Sequence, residues 1–151
     1  MKRVKTALTI AGLDPSGGAG LQADLKTFAA CRIAGKSVAT SITVQNTSGV
    51  LSTHDLPSDI VEKQLDALFK DGKPHAIKTG MLGNESTVEC VARTLRRNRV
   101  KNLVIDPVIR SSSGKTLLSA KGVQALKERL LPISLLVTPN LAEAEALSGV
   151  R

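Results

Sequence analysis

Residues 4–33, VKTALTIAGLDPSGGAGLQADLKTFAACRI, decide the fold. The apolar, β-branched run Val4–Ala11 predicts a strand, and Leu21–Ile33 predicts a helix with Leu21, Leu25 and Phe28 as its packed stripe. Between them AGLDPSGGAG places four glycines and a proline around Asp14, a carboxylate in a setting that predicts burial. A strand, a glycine loop and a helix in that order open an α/β sheet, in which ligands bind beyond the carboxyl ends of the strands. The loop could hold a phosphate, a small substrate or only its own backbone.

A nucleoside-triphosphate loop needs a lysine for the terminal phosphates and a hydroxyl for magnesium after its second glycine. From Gly12 the spacing reaches Gly17, but Gly18 and Ala19 follow, so that reading fails. Gly18, Gly20 and Ala23 fit a dinucleotide fingerprint, which requires an acid for the ribose about twenty residues later. No Asp or Glu occurs between Leu25 and His54. The remaining carboxylate, Asp24, lies on the apolar stripe of the helix and needs a partner there. Two partners stay open: the backbone amides of the glycine loop, or a hydroxyl or amino group of a polar ligand.

Downstream, β-rich runs alternate with helical periodicity. Strands are predicted at Ser37–Val44, Ala76–Thr79, Asn102–Asp106 and Ser134–Thr138, and helices at Ser58–Lys70, Glu85–Asn98, Ala120–Leu130 and Leu141–Leu147. Strands separated by helices imply parallel pairing through right-handed crossovers, hence a three-layer α/β/α sandwich with a mainly parallel sheet. The residues that follow each strand are then the candidates for a site.

Composition narrows the partners. The net charge of +8 invites a nucleic-acid reading, but the only aromatics are Phe28 and Phe69, so stacking platforms are missing and no nucleic-acid partner is expected. The densest basic stretch, Arg93, Arg96, Arg97, Arg99 and Lys101, reads as the solvated end of a helix whose other face carries Val88, Val91 and Leu95. Cys31 and Cys90 form no CxxC pair, which argues against a disulfide or metal framework and for a reducing, cytoplasmic setting. The opening MKRVKTALTIAG leads into the glycine loop and reads as a strand, not a signal peptide, and no apolar run is long enough for a membrane span.

Five ordered motifs carry a resemblance: ALTIAGLDPSGGAGLQADLKTFAA (7–30), SVATSITVQNT (37–47), IKTGMLG (77–83), DPVIRSSSG (106–114) and TPNLAEAEAL (138–147). Together they resemble the hydroxymethylpyrimidine/phosphomethylpyrimidine kinases of thiamine biosynthesis, a ribokinase-like family; pyridoxal kinases share parts of the pattern. The resemblance implies phosphorylation of an aminopyrimidine's hydroxymethyl group, and then of its monophosphate, with ATP and magnesium. It implies that Gly12 and Asp24 line the pyrimidine pocket, that Gln45 reads the ring through its donor and acceptor, and that Thr43, Met81 and Val108 pack against it. Asp106, Asn140 and Glu143 correspond to the phosphate and metal region. Read without the family, Met81 is a core residue, Asp106 stabilises the turn before Pro107, and Asn140 with Glu143 forms a helix capping pair.

The chain departs from the family pattern at Leu13, where a small polar residue is usual, at Thr43, commonly apolar, and at Ala34, commonly aromatic. In the family, the nucleotide-binding segment and the turn that carries the catalytic base follow the position of Arg151. Residues 1–151 therefore correspond to the acceptor-substrate portion of one ribokinase-like domain. They are expected to be inactive alone, with no catalytic base assigned among them. The alternatives are an aminopyrimidine-binding module or half of a split kinase completed by another chain, and after these a pyridoxal/pyridoxine kinase; a homodimer associating through the last strand is a candidate assembly.

Overall fold

A computed structural model of the chain describes residues 4–150, so the part of the opening sequence at residues 1–3 lies outside the described residues. The elements run β1 (Thr6–Leu13), α1 (Gly20–Ala30), β2 (Ala34–Asn46), β3 (Gly49–Asp55), α2 (Ser58–Lys70), β4 (Ala76–Thr79), α3 (Glu85–Arg97), β5 (Leu103–Ile105), α4 (Ala120–Ala125), β6 (Leu136–Val137) and α5 (Leu141–Ser148). One sheet has the order β3-β2-β1-β4-β5-β6. All its pairings are parallel except that of β3, which runs antiparallel to β2.

β3 is the element that the sequence reading lacks. Its burial pattern has no fully buried position, so the alternation that marks a half-buried strand is absent. The turn before it was legible: the Asn46 side chain accepts from the Ser48 amide at 2.9 Å, in an Asn-Thr-Ser-Gly connection suited to a hairpin. Two further differences have local causes. The helix predicted at Ala120–Leu130 keeps α geometry only to Ala125 and then loosens into a π turn at Leu126–Leu130. Pro132 lies in the tight turn Leu131–Ile133 that follows, and a proline cannot supply the amide an α-helix would need. β6 contracts to two residues at the sheet edge, with Leu136 exposed.

One side of the sheet is dry. Leu8 and Ile10 of β1, Val38 of β2, Ile77 of β4, and Leu103 and Ile105 of β5 pack with Val61 and Leu65 of α2, Val88, Val91 and Leu95 of α3, and Leu126 and Leu130. α2 packs on α3 and α3 on α4, and this layer holds most of the core. The basic stretch belongs to it: Arg93 pairs with Glu62 at 3.2 Å, Arg97 pairs with Asp66, and Arg96 donates to the carbonyl of Arg129 at 2.7 Å. These cations are spent on neighbouring elements, in keeping with a solvated helix end. Cys90 is buried in α3, where burial pushes its thiol up, and Cys31 is exposed after α1.

The other side is thinner and more polar. α1 packs on β1 and β2, yet Leu21 is its only buried residue. Gly35 of β2 lets α1 approach, since a side-chain carbon there would meet Leu25 at 2.8 Å and Phe28 at 3.1 Å.

Candidate functional site

Side chains alternate across a strand, so the positions between the core residues face α1. Thr9 of β1 pairs in register with Lys78 of β4, and Lys78 with Val104 of β5. Asp106 lies two residues beyond Val104, just past the end of β5. Asp24 meets this row from α1. Its Oδ2 accepts from the Thr9 hydroxyl at 2.6 Å and from the Lys78 ammonium at 3.0 Å, while Lys78 also donates to Oδ1 at 3.2 Å. The same ammonium lies 3.3 Å from Oδ2 of Asp106. Asp24 is thus held by the sheet and not by loop amides, and the first of its two candidate partnerships is corrected accordingly. Asp106 likewise directs its carboxylate to Lys78.

The loop amides go to Asp14. Its carboxylate accepts from the Ser16 amide at 2.8 Å, the Ser16 hydroxyl at 2.7 Å, the Gly18 amide at 3.0 Å and the Ala19 amide at 2.9 Å. Gln22 closes the ring by accepting from the Asp14 amide at 3.0 Å. Burial pushes the Asp14 carboxyl up, but the Ser16 hydroxyl and the amides of Ser16, Ala19 and Gly18 together outweigh it and hold it below the usual carboxylate range. α1 has no side-chain cap at Ala19. The position beside its N-terminus where an anion is favoured is taken by Asp14 of the chain itself.

Gly20 completes the loop. Its φ is +57°, and a side-chain carbon would lie 2.3 Å from the carbonyl oxygen of Gly12, so the helix start rests directly on the end of β1. The strand is bulged there, with its pairing to β2 shifting between Ala11 and Leu13. Thr43 of β2 then fixes the bulge by donating to the Leu13 carbonyl at 2.8 Å. Leu13 and Thr43, two of the departures from the family pattern, are therefore in contact.

Between the loop, β2, β3 and the ends of β4 and β5 lies a cavity of about 270 Å³. Gly12, Asp24, Thr43, Gln45, Met81, Asp106 and Val108, seven of the residues singled out in the sequence, all line it. Thr43 and Met81 are buried, and Gln45 is half-buried with Oε1 3.3 Å from the Thr43 hydroxyl. Met81 is placed twice: its sulfur would meet a side-chain carbon on Gly12 at 3.1 Å, and its carbonyl accepts from Thr40 at 2.6 Å. The lining is largely apolar with a few convergent polar groups, the usual make-up of a small-molecule site. Sequence reasoning missed Lys78, Val50 and Leu117 among the lining residues. The signal for Lys78 was a lone charge inside the short strand AIKT; Val50 was hidden with β3.

Asn140 and Glu143 stand apart, lining a neighbouring recess with Arg110 and Ser111. They form a capping box: the Asn140 side chain accepts from the Glu143 amide at 2.9 Å, and Glu143 accepts from the Asn140 amide at 3.0 Å. Glu143 is buried and also accepts from the Ile109 amide at 3.3 Å. Glu143 is thus held by amides and Asp106 by Lys78, and the described residues bring together no group of three His, Cys, Asp or Glu that could hold a metal ion.

A parallel sheet with an antiparallel hairpin overhanging a small-molecule pocket, at the carboxyl ends of its central strands, defines a ribokinase-like α/β protein. Residues 14–151 match the family described as phosphomethylpyrimidine kinase, and the chain belongs to that family. It is 51% identical over 147 residues to the hydroxymethylpyrimidine/phosphomethylpyrimidine kinase of Escherichia coli K12, covering 97% of this chain and 55% of that protein. The Staphylococcus aureus MRSA252 protein of the same name is 47% identical over 150 residues, with 99% and 54% covered. The chain thus spans about half the length of the curated relatives it matches. Among solved structures, phosphomethylpyrimidine kinase from Clostridium difficile 630 superposes with a TM-score of 0.90 at 44% identity, covering 97% of this chain and 64% of that one. Bacillus subtilis pyridoxal kinase, solved as an ADP complex, gives 0.88 at 38% identity, with 99% and 55% covered. Among the described residues no helix is long and apolar enough to cross a membrane.

Proposed function

We propose that residues 1–151 form the acceptor-binding portion of a kinase that phosphorylates hydroxymethylpyrimidine and its monophosphate with ATP and magnesium. The observation that carries this reading is the convergence of Gly12, Asp24, Thr43, Gln45, Met81 and Val108 on one cavity from separate segments of the chain. Gln45 offers a donor and an acceptor to the edge of an aminopyrimidine, Asp24 an acceptor, and Met81 and Val108 an apolar bed. Asp106, Asn140 and Glu143 lie on the side facing the phosphates, and the groups that bind the nucleotide and take the hydroxyl proton belong to the length of the relatives that residues 1–151 do not span. Phosphoryl transfer depends on supplying that part, from the same or a complementing chain, in a cytoplasmic enzyme.

Calorimetry of residues 1–151 with hydroxymethylpyrimidine tests the reading. Saturable heat is expected, and its absence at millimolar ligand refutes acceptor binding. Gln45→Ala is expected to weaken pyrimidine binding by about tenfold, and Asn140→Ala by much less. Equal losses would contradict the division between acceptor and phosphate sides. Turnover of hydroxymethylpyrimidine by residues 1–151 with ATP and magnesium would refute the dependence on a further part.

The second reading is a pyridoxal acceptor, favoured by the likeness to pyridoxal kinases, one of them solved in complex with pyridoxal at a TM-score of 0.87. A pyridoxal affinity above that for hydroxymethylpyrimidine in the same calorimetry would select it.

A further inference from the structure

The ionisable residues that line the cavity are Asp14, Asp24, Lys78 and Asp106. Asp14 is closed off by its own loop, which leaves two carboxylates and one ammonium to face a ligand. A carboxylate has about four acceptor positions. At Asp24, Thr9 and Lys78 fill both on Oδ2, and Lys78 fills one on Oδ1, so among the described residues a single position on Oδ1 stays open.

The fold makes room for this arrangement. A side-chain carbon on Gly80 would lie 3.1 Å from the Lys78 nitrogen, so the glycine that follows β4 leaves the space that the ammonium occupies. The side chains of Lys78 and Asp24 are 23% and 19% exposed, well inside the range where ion pairs escape the screening that weakens surface pairs.

We propose that Lys78 is a positioning and specificity residue of the acceptor pocket: shared between Asp24 and Asp106, its ammonium fixes Asp24 so that its open Oδ1 position meets an amino group on a heterocyclic ligand. The inference rests on the acceptor reading of the pocket. It explains why a lysine stands inside a short apolar strand. It also gives the pocket a means of rejecting a ring that lacks the amino group, because such a ring leaves a partly buried carboxylate position unfilled.

Two measurements on residues 1–151 test it. Nitrogen-15 NMR of the lysine ammonium groups, without ligand, is expected to show a slowly exchanging signal assigned to Lys78 by its loss in Lys78→Met, and Asp106→Asn is expected to speed its exchange. Exchange as fast as that of exposed Lys101, or no response to Asp106→Asn, overturns the shared ammonium even if a Lys78 variant fails to fold. Calorimetry then compares hydroxymethylpyrimidine with the analogue carrying hydrogen in place of the amino group. The native chain is expected to prefer the amino compound by about tenfold or more, and Lys78→Met to reduce that preference to about threefold or less. A preference unchanged by Lys78→Met, or equal binding of both rings by the native chain, overturns the inference alone; binding of neither ring refutes the acceptor reading and the specificity role with it.

Discussion

Asp14 and Asp24 lie ten residues apart, on either side of the same glycines, and the chain uses them in opposite ways. Asp14 is folded inward: loop amides and the Ser16 hydroxyl surround it, and it occupies the anion position at the start of α1. Asp24 is held by Thr9 and Lys78, lines the cavity, and keeps one acceptor position on Oδ1 without a partner among the described residues. A glycine-rich turn that leads into a helix is therefore not by itself a ligand site. Here the turn is a finished structural unit, and the polar groups available to a ligand come from α1, at Asp24, and from the sheet beneath it, at Lys78 and Gln45.

The comparison breaks most sharply at Gly20. Gly20→Ala forces a left-handed backbone onto an alanine and drives its side chain against the Gly12 carbonyl, with an expected loss of about 3 kcal/mol, read from urea unfolding. A loss below about 1 kcal/mol would mean that the helix start does not rest on β1. Because the clash lies in the loop, the ion pair of Asp24 with Lys78 is expected to survive in whatever fraction folds.

Asp14→Asn sharpens the comparison through pH. The folded carboxyl titrates below its unfolded value of about 3.9, so its contribution is fully present above that pH and is lost as pH falls through the folded value. The variant is expected to lose about 2 kcal/mol at neutral pH, with the gap to the native chain narrowing on acidification below about pH 4. A gap independent of pH would mean that the carboxylate charge does not hold the loop.

Much of this was legible in the sequence, and what was not has physical causes. α2 and β4 were read to the residue because hydrophobic periodicity marks them directly. β3 escaped because neither of its faces is fully buried, and the loosened end of α4 escaped because the influence of Pro132 reaches back into the preceding turn. At the site, Met81, Asp106 and Val108 were legible because they follow strand ends, whereas Gly12, Asp24, Thr43 and Gln45 lie within β1, α1 and β2, where the motifs of the resemblance mark them. The pairing of Asp24 was not readable: it depends on the register of β1 against β4, which sets Thr9 beside Lys78, and single-sequence periodicity carries no register.

The smallest expected effect is at Thr43, where the two regions meet. Its hydroxyl joins the Leu13 carbonyl, on the loop side, to β2, whose Gln45 lines the cavity. Thr43→Val keeps the volume but removes the donor, leaving a carbonyl at the bulge short of one partner, with an expected cost of about 1 kcal/mol. The consequence for the cavity runs the other way. Gln45 loses a neighbour 3.3 Å from its Oε1, so its carboxamide is freer to turn toward a ligand, and pyrimidine affinity is expected to hold or rise slightly while stability falls. Urea unfolding and calorimetry on the same preparation check both signs. A parallel loss of stability and affinity would mean that the loop and the pocket behave as one cooperative unit, and the separation drawn between Asp14 and Asp24 would fail.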